Sequence, residues 1–273
     1  MIAAARAMGR GSKRLGAYLG LVILVAIVIG LVAIGALPAA RWAPFADLRV
    51  WRFLGEGLLA TIQMGLTALM ASLILSLPLA LARIGAPAPV RAVVVGWIEL
   101  VRATPVLALV FGIVLFMPRT GLNVPPIWAA TLALTIYASA VLAEIVRAGI
   151  LSIPRGEVEA ARSLGLPYAA TMRLVVLPQA LARMTPALVS QLITLVKDTS
   201  LASIAAIPEL LSFARSSFTF YGNPVETLFV VACIYFVICY TLSRISRRLE
   251  LHRPADVMPP VLGEEDLQPV VRA

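Results

Sequence analysis

The residues best placed to do chemistry in this sequence are charges set where charges are costly. Glu99 and Arg102 fall within an otherwise apolar stretch from Ala92 to Pro118, and Lys197-Asp198 closes another that starts at Met184. An unpaired charge at the centre of a membrane helix costs roughly 2.5–3.5 kcal/mol on insertion scales, so each of these groups needs a partner or a function. Glu99 and Arg102 are spaced i, i+3, which puts them on one helix face and allows them to pair with each other. Arg102 also precedes Thr104-Pro105, a helix breaker, where a guanidinium could line a pathway and meet a substrate carboxylate or a gating acid. Lys197 and Asp198 are neighbours in sequence and point in different directions. They read either as a snorkelling lysine with an aspartate that caps a helix starting at Thr199-Ser200, or as part of a gate. Glu144 and Arg147 share the i, i+3 spacing, and for them simple pairing is the expectation.

Little else in the chain could support catalysis. His252 is the single histidine, and Cys233 and Cys239 are the only cysteines. The two cysteines lie six residues apart in one apolar run, where a helix holds them out of bridging reach. A histidine-based metal site or a catalytic triad has nothing to build on. No Gly-x-Ser-x-Gly, His-Glu-x-x-His or Gly-x-x-x-x-Gly-Lys-Ser/Thr pattern occurs, and neither lysine follows a glycine. The expectation is a chain that is not an enzyme, carries no metal or cofactor and binds no ATP of its own.

The elements that must position those charges are membrane helices. Of 273 residues 60% are hydrophobic and only 14% charged, a balance that one soluble core cannot hide. Six spans are expected. Leu15 to Ala40 follows a basic start at residues 1–14 and is too long for a signal-peptide core, so it reads as a retained helix. Gly57 to Ala82 is the second, with Thr61 and Gln63 as its early polar residues and Arg83 at its close. Ala92 to Pro118 is the third, broken at Thr104-Pro105. Ile127 to Ala143 is the fourth, with Pro126 suited to a first helical position and Glu144 and Arg147 at its exit. Met184 to Val196 and Thr227 to Ser243 are the fifth and sixth. The proline- and acid-rich tail, residues 251–273, is expected to be disordered.

Six spans place both termini on one side. Of the 23 lysines and arginines, Arg41, Arg49, Arg52, Arg119 and Arg215 fall on the opposite side, Arg102 and Lys197 are embedded, and the other 16 share the side of the termini. That bias makes the termini cytoplasmic, and with them the stretch from Gly156 to Pro178. The net charge of +9 therefore reflects topology and gives no reason to invoke nucleic acid.

That cytoplasmic stretch carries the most specific pattern. Glu159-Ala160-Ala161 leads to Gly165, and Leu177-Pro178 follows, which reads as a short helix stopped by Gly165, a turn at Leu166-Pro167 and a second helix returning to the membrane. Here the chain resembles the permeases of bacterial ATP-binding-cassette importers, whose signature is an EAA segment, a spaced glycine and a terminal Leu-Pro. Val101-Arg102-Ala103-Thr104-Pro105, Pro178-Gln179-Ala180 and Lys197-Asp198-Thr199-Ser200-Leu201 are similar in order and spacing to its polar amino acid branch. Ala103, Glu157 and Val141 depart from that branch, where glycine, glutamine and tyrosine are usual.

The resemblance implies an all-α polytopic fold in the bacterial cytoplasmic (inner) membrane. It implies a five-helix permease core over residues 54–250, an additional N-terminal helix at 15–40 and a coupling loop at 155–178. It implies that Gly156, Glu159, Ala160, Ala161, Gly165, Leu177 and Pro178 engage a separate ATPase, which binds the ATP. It further implies that Glu99, Arg102, Thr104, Pro105, Lys197, Asp198, Thr199 and Ser200 line or gate the pathway. The partners implied are the ATPase subunits, a second permease copy, an extracytoplasmic binding protein and an amino-acid-like substrate.

Overall fold

In the computed structural model, the structure describes residues 26, 29, 30 and 38–251, with side chains through Ser246. The expected cytoplasmic start, most of the first span and the tail beyond Leu251 lie outside the described residues. Where that first span was expected to finish, a 3-10 helix, Ala39–Ala46, begins after Pro38.

Helix α1, Leu48–Gly85, is 38 residues long. At about 1.5 Å per residue it is nearly twice the length that crosses a hydrocarbon core. The expected span, Gly57 to Ala82, is its apolar middle. Charged Arg49, Arg52 and Glu56 ended the sequence pattern, yet a helix runs on past charges wherever they reach water or headgroups. Asp47 starts it, accepting from the Arg49 amide at 2.8 Å. Its buried residues, among them Leu54, Gly57, Thr61, Gly65, Ala68, Ser72, Ser76 and Ala80, mostly recur every three or four positions and form one stripe.

Helices α2, Ala88–Ala103, and α3, Val106–Phe116, meet at an angle of 100° across the expected break. Helix α4, Pro126–Leu151, starts with Pro126 in its first turn and is the hub of the fold. Its buried positions are mostly small, including Ala129, Ala130, Ala133, Ala138, Ala140, Ala143 and Gly149, which lets neighbouring backbones approach closely. It continues past the expected exit, so Glu144 and Arg147 are helical residues.

Three shorter pieces follow: α5, Arg155–Ser163; α6, Tyr168–Thr171; and a π-turn, Met172–Val176, that leads into α7, Leu177–Asp198. The fifth expected span, Met184 to Val196, lies in the C-terminal part of α7. A 3-10 helix, Thr199–Ala205, prolongs it. Then come α8, Leu210–Tyr221, closed by left-handed Gly222, and α9, Pro224–Leu251, which contains the sixth expected span.

Among the described residues, α1, α4 and α9 are long and apolar enough to cross a membrane, and the bent pair α2–α3 counts as a fourth span. Helix α7 has the length, but Gln179, Arg183, Gln191, Lys197 and Asp198 make it too polar for that group. The six-span count is therefore not reproduced among these residues. Close packing is tightest at Gly57, where a Cβ would lie 2.8 Å from Phe213 Cγ and 3.0 Å from Leu210 Cα.

Candidate functional site

The loop from Arg155 to Val176 folds as its sequence pattern predicts, for identifiable reasons. Pro154 precedes α5, whose first turn needs no amide from it. The helix closes on Gly165 in the left-handed region at φ 79°. Gly165 N donates to Arg162 O at 2.9 Å and Leu166 N donates to Ala161 O at 3.3 Å, the paired bonds of a Schellman cap. Glycine adopts that conformation without a Cβ penalty, which accounts for the spacing between Ala161 and Gly165. Pro167 then starts α6, and Thr171 N returns to Pro167 O at 2.9 Å.

Leu177-Pro178 does not end this second helix. It lies inside one nearly continuous helical run from Tyr168 to Asp198. A proline removes the amide that would bond four residues back and crowds the carbonyl there. The π-turn just before it, in which Leu177 N donates five residues back to Met172 O, accommodates that defect.

The loop has two faces. Ala161 is buried, and Val158, Met172 and Leu177 pack on a core made by Val146, Ile150, Ile153, Val176, Ala180 and Met184. Gly156, Glu159, Ala160 and Gly165 are exposed, as are Leu164 at 84% and Tyr168 at 59%. Arg162 stands over the Tyr168 ring, 5.9 Å from its centroid. A rigid short helix thus presents a glutamate, an alanine and a bare leucine to the outside.

The pathway candidates divide. Thr104 leaves α2 with its amide donating to Leu100 O and Val101 O and its hydroxyl donating to Leu100 O at 2.8 Å. Pro105 bars continuation. Glu99 and Arg102 are both exposed, and among the described residues neither makes an ion pair or hydrogen bond, so of the two readings left open the mutual pair is not formed. Helix α2 buries only Ile98 and Val101, which turns the two charges away from the core.

Lys197 is exposed and Asp198 half-buried. Asp198 does not cap the segment after it. Its backbone is right-handed helical and its side chain makes no capping bond, because α7 passes into the 3-10 helix without the extended residue that a cap requires. Thr199 is fully buried and its hydroxyl donates to Val196 O at 2.8 Å, while Ser200 donates to Lys197 O at 2.7 Å. The two motif regions are brought together through an apolar cluster. Val106, next to the break, and Val110 pack with Leu195 and Ala202 on either side of Lys197-Asp198.

Glu144 takes the pairing expected with Arg147, at 3.2 Å, and a second that sequence spacing did not reveal. Arg83 Nη1 at the end of α1 lies 2.9 Å from Glu144 Oε1, an ion pair without hydrogen-bond alignment. Also unforeseen is fully buried Glu209, which accepts from Ser212 N at 2.7 Å, Tyr235 OH at 3.3 Å and Thr61 Oγ1 at 3.5 Å. Thr61 in turn accepts from Leu210 N at 3.0 Å. Thr61, one of the two early polar residues of the second span, was the only hint of this network.

Comparison with known proteins agrees with the geometry. Residues 72–252 match the family described as binding-protein-dependent transport system inner membrane component. The "Probable glutamine ABC transporter permease protein GlnP" of Bacillus subtilis is 38% identical over 206 residues, covering 74% of this chain and 94% of that one. The L-cystine transport system permease protein TcyB of the same organism is 33% identical over 201 residues, covering 73% and 86%. Among solved structures, an amino acid ABC transporter with histidines is similar at a TM-score of 0.71 and 31% identity, covering 77% of this chain and 98% of that one. The MetNI methionine ABC transporter, at 23% identity and a TM-score of 0.62, shares the fold. Membership in this family implies an ATPase and a substrate-binding protein as partners. The chain belongs to the binding-protein-dependent inner membrane transport components: it is a multi-pass permease subunit of an ATP-binding-cassette importer and not an enzyme.

Proposed function

We propose that the chain forms half of the pathway of an importer for amino acids or close relatives in the bacterial cytoplasmic membrane, with both termini in the cytoplasm. Relatives described for glutamine and L-cystine support the substrate class. A second permease copy, identical or paralogous, completes the pathway, and an extracytoplasmic binding protein delivers the substrate. The partner ATPase binds ATP and grips the segment from Gly156 to Gly165, with Glu159, Ala160 and Ala161 at its centre and Leu177-Pro178 bracing its return. Closure of the ATPases rocks the permeases outward. Glu99, Arg102, Thr104 and Pro105 at the helix break, with Lys197, Asp198, Thr199 and Ser200 across the apolar cluster, line or gate the route.

The observation that carries this reading is α5 itself, closed by its Schellman cap, with Ala161 inward and Glu159, Ala160 and Leu164 outward. Gly165→Val tests it. A Cβ at Gly165 meets nothing within 4 Å, so the variant acts through backbone strain, on the order of 1–2 kcal/mol, and not through a clash. Tagged permease should copurify from native membranes with a Walker-motif ATPase, and the variant should recover much less of it. Equal recovery with both forms would remove α5 from the docking role.

A further inference from the structure

Two side chains of α7 reach back to the segment that carries α5. Gln179 Nε2 donates to Glu157 Oε2 at 3.2 Å, and Arg183 Nη1 donates to the Ser152 carbonyl oxygen at 2.5 Å. Beside them α4 lies against α7 at Gly149, where a Cβ would stand 3.3 Å from Met184 Sδ and 3.5 Å from Ala180 O. Gln179, Ala180, Arg183 and Met184 occupy one face of α7. The end of α4, the bend at Ser152 and the first turn of α5 are therefore all fastened to the same turn and a half of a single helix.

We infer that Gln179 and Arg183 are positioning residues that lock α5 to α7, so that force applied to α5 moves α7 as one body. The chain between the two helices is a poor transmitter, because it includes the left-handed turn at Gly165 and the π-turn, Met172–Val176. The apolar core beneath the loop holds the pieces close, but such contact is non-directional and permits sliding. One hydrogen bond to Glu157 within α5 and one to the Ser152 bend that carries α5 fix the angle. Arg183 does so with a charged donor on a carbonyl left open at the C-terminal end of α4, where helix dipole and unsatisfied acceptor both favour a cation. The far end of α7 carries Lys197-Asp198, about 28 Å from Gln179 at 1.5 Å per residue. Motion delivered at the cytoplasmic loop then reaches those residues without loss in the connecting turns.

This inference rests on the docking role of α5, and the experiment separates the two. Spin labels are placed at Arg155→Cys on α5 and Thr194→Cys on α7, both exposed, with Cys233 and Cys239 replaced by serine. Labelled permease is diluted into unlabelled permease in the full complex, so that distances within one copy are read by pulsed electron resonance with and without vanadate-trapped nucleotide. The expected result is one narrow distance that nucleotide leaves unchanged, broadened or shifted by Arg183→Ala and restored by Arg183→Lys, which keeps a cationic donor. A wild-type distance that moves by several ångströms on trapping would overturn the lock, as would an Ala variant as narrow as wild type. Should Arg183→Ala not assemble, Glu157→Ala/Gln179→Ala carries the same expectation. Loss of the ATPase from the wild-type preparation would instead strike the docking reading.

Discussion

At the C-terminal end of α2, and again near that of α4, the chain places a glutamate three residues before an arginine. Glu144 and Arg147 close to 3.2 Å, and Arg83 from α1 meets the other carboxylate oxygen. Glu99 and Arg102, with the same spacing, stand open on the surface of the chain with no ion pair among the described residues. An i, i+3 pair on a helix contributes only a few tenths of a kcal/mol, so spacing permits pairing without deciding it. What decides it is surroundings. Helix α4 is the buried hub and brings a third charge within reach, whereas α2 turns Glu99 and Arg102 away from its two buried residues. A charge pair left open in a membrane helix points to a partner outside the chain, and pathway or second permease copy is where the proposed function puts one.

The sharpest way to break that contrast is to remove the arginines separately. Arg102→Ala is expected to lower uptake of the accepted amino acid roughly ten- to a hundredfold, the size of losing a hydrogen bond to a charged group. Its thermal unfolding should stay within about 0.5 kcal/mol of wild type, because it leaves no internal partner exposed. Uptake measured with a panel of radiolabelled amino acids checks the first outcome, and melting in detergent the second. Unchanged uptake would return Glu99 and Arg102 to the status of surface charges.

Glu144→Ala should show the opposite profile. It leaves Arg83 and Arg147 facing each other with side-chain exposures of 21% and 31% and no counterion between them. Full burial would make this loss several kcal/mol, and partial exposure reduces it to about 1–2 kcal/mol, read as a lower unfolding midpoint. Arg83→Ala/Glu144→Ala should recover part of that loss. A double variant no more stable than Glu144→Ala would show that Arg83 left without its carboxylate costs nothing.

The same distinction explains what could be read from the sequence. The break at Thr104-Pro105, the stop at Gly165 and the start at Pro126 were visible because each rests on a local backbone constraint that one residue type imposes. The EAA spacing was visible because a cap has fixed offsets. The contacts from Arg83 to Glu144, from Arg183 to the Ser152 carbonyl and from Glu209 to Thr61 join residues 31 to 148 positions apart, and no periodicity encodes them. The ends of α1 lie beyond the expected span for a different reason. Hydropathy marks where the bilayer ends, and Asp47 marks where the helix ends. The cap reading of Asp198 fails because a cap needs an extended backbone as well as a suitable residue type, and a helix running into a 3-10 turn does not supply one.

Asp47 and Asp198 turn that last point into the finest test of local against contextual signals. Both stand immediately before a helical segment. Asp47 has an extended backbone at φ −86°, ψ 124° and accepts from the Arg49 amide, whereas Asp198 is helical and accepts nothing in that role. Asp47→Ala should therefore cost about 1 kcal/mol of stability. Asp198→Ala should fall within about 0.5 kcal/mol of wild type, so any loss of uptake it causes belongs to the pathway and not to the fold. Equal destabilisation by the two would mean that Asp198 holds a structural partner at the mouth of α7, and Asp198 would then drop out of the gate reading.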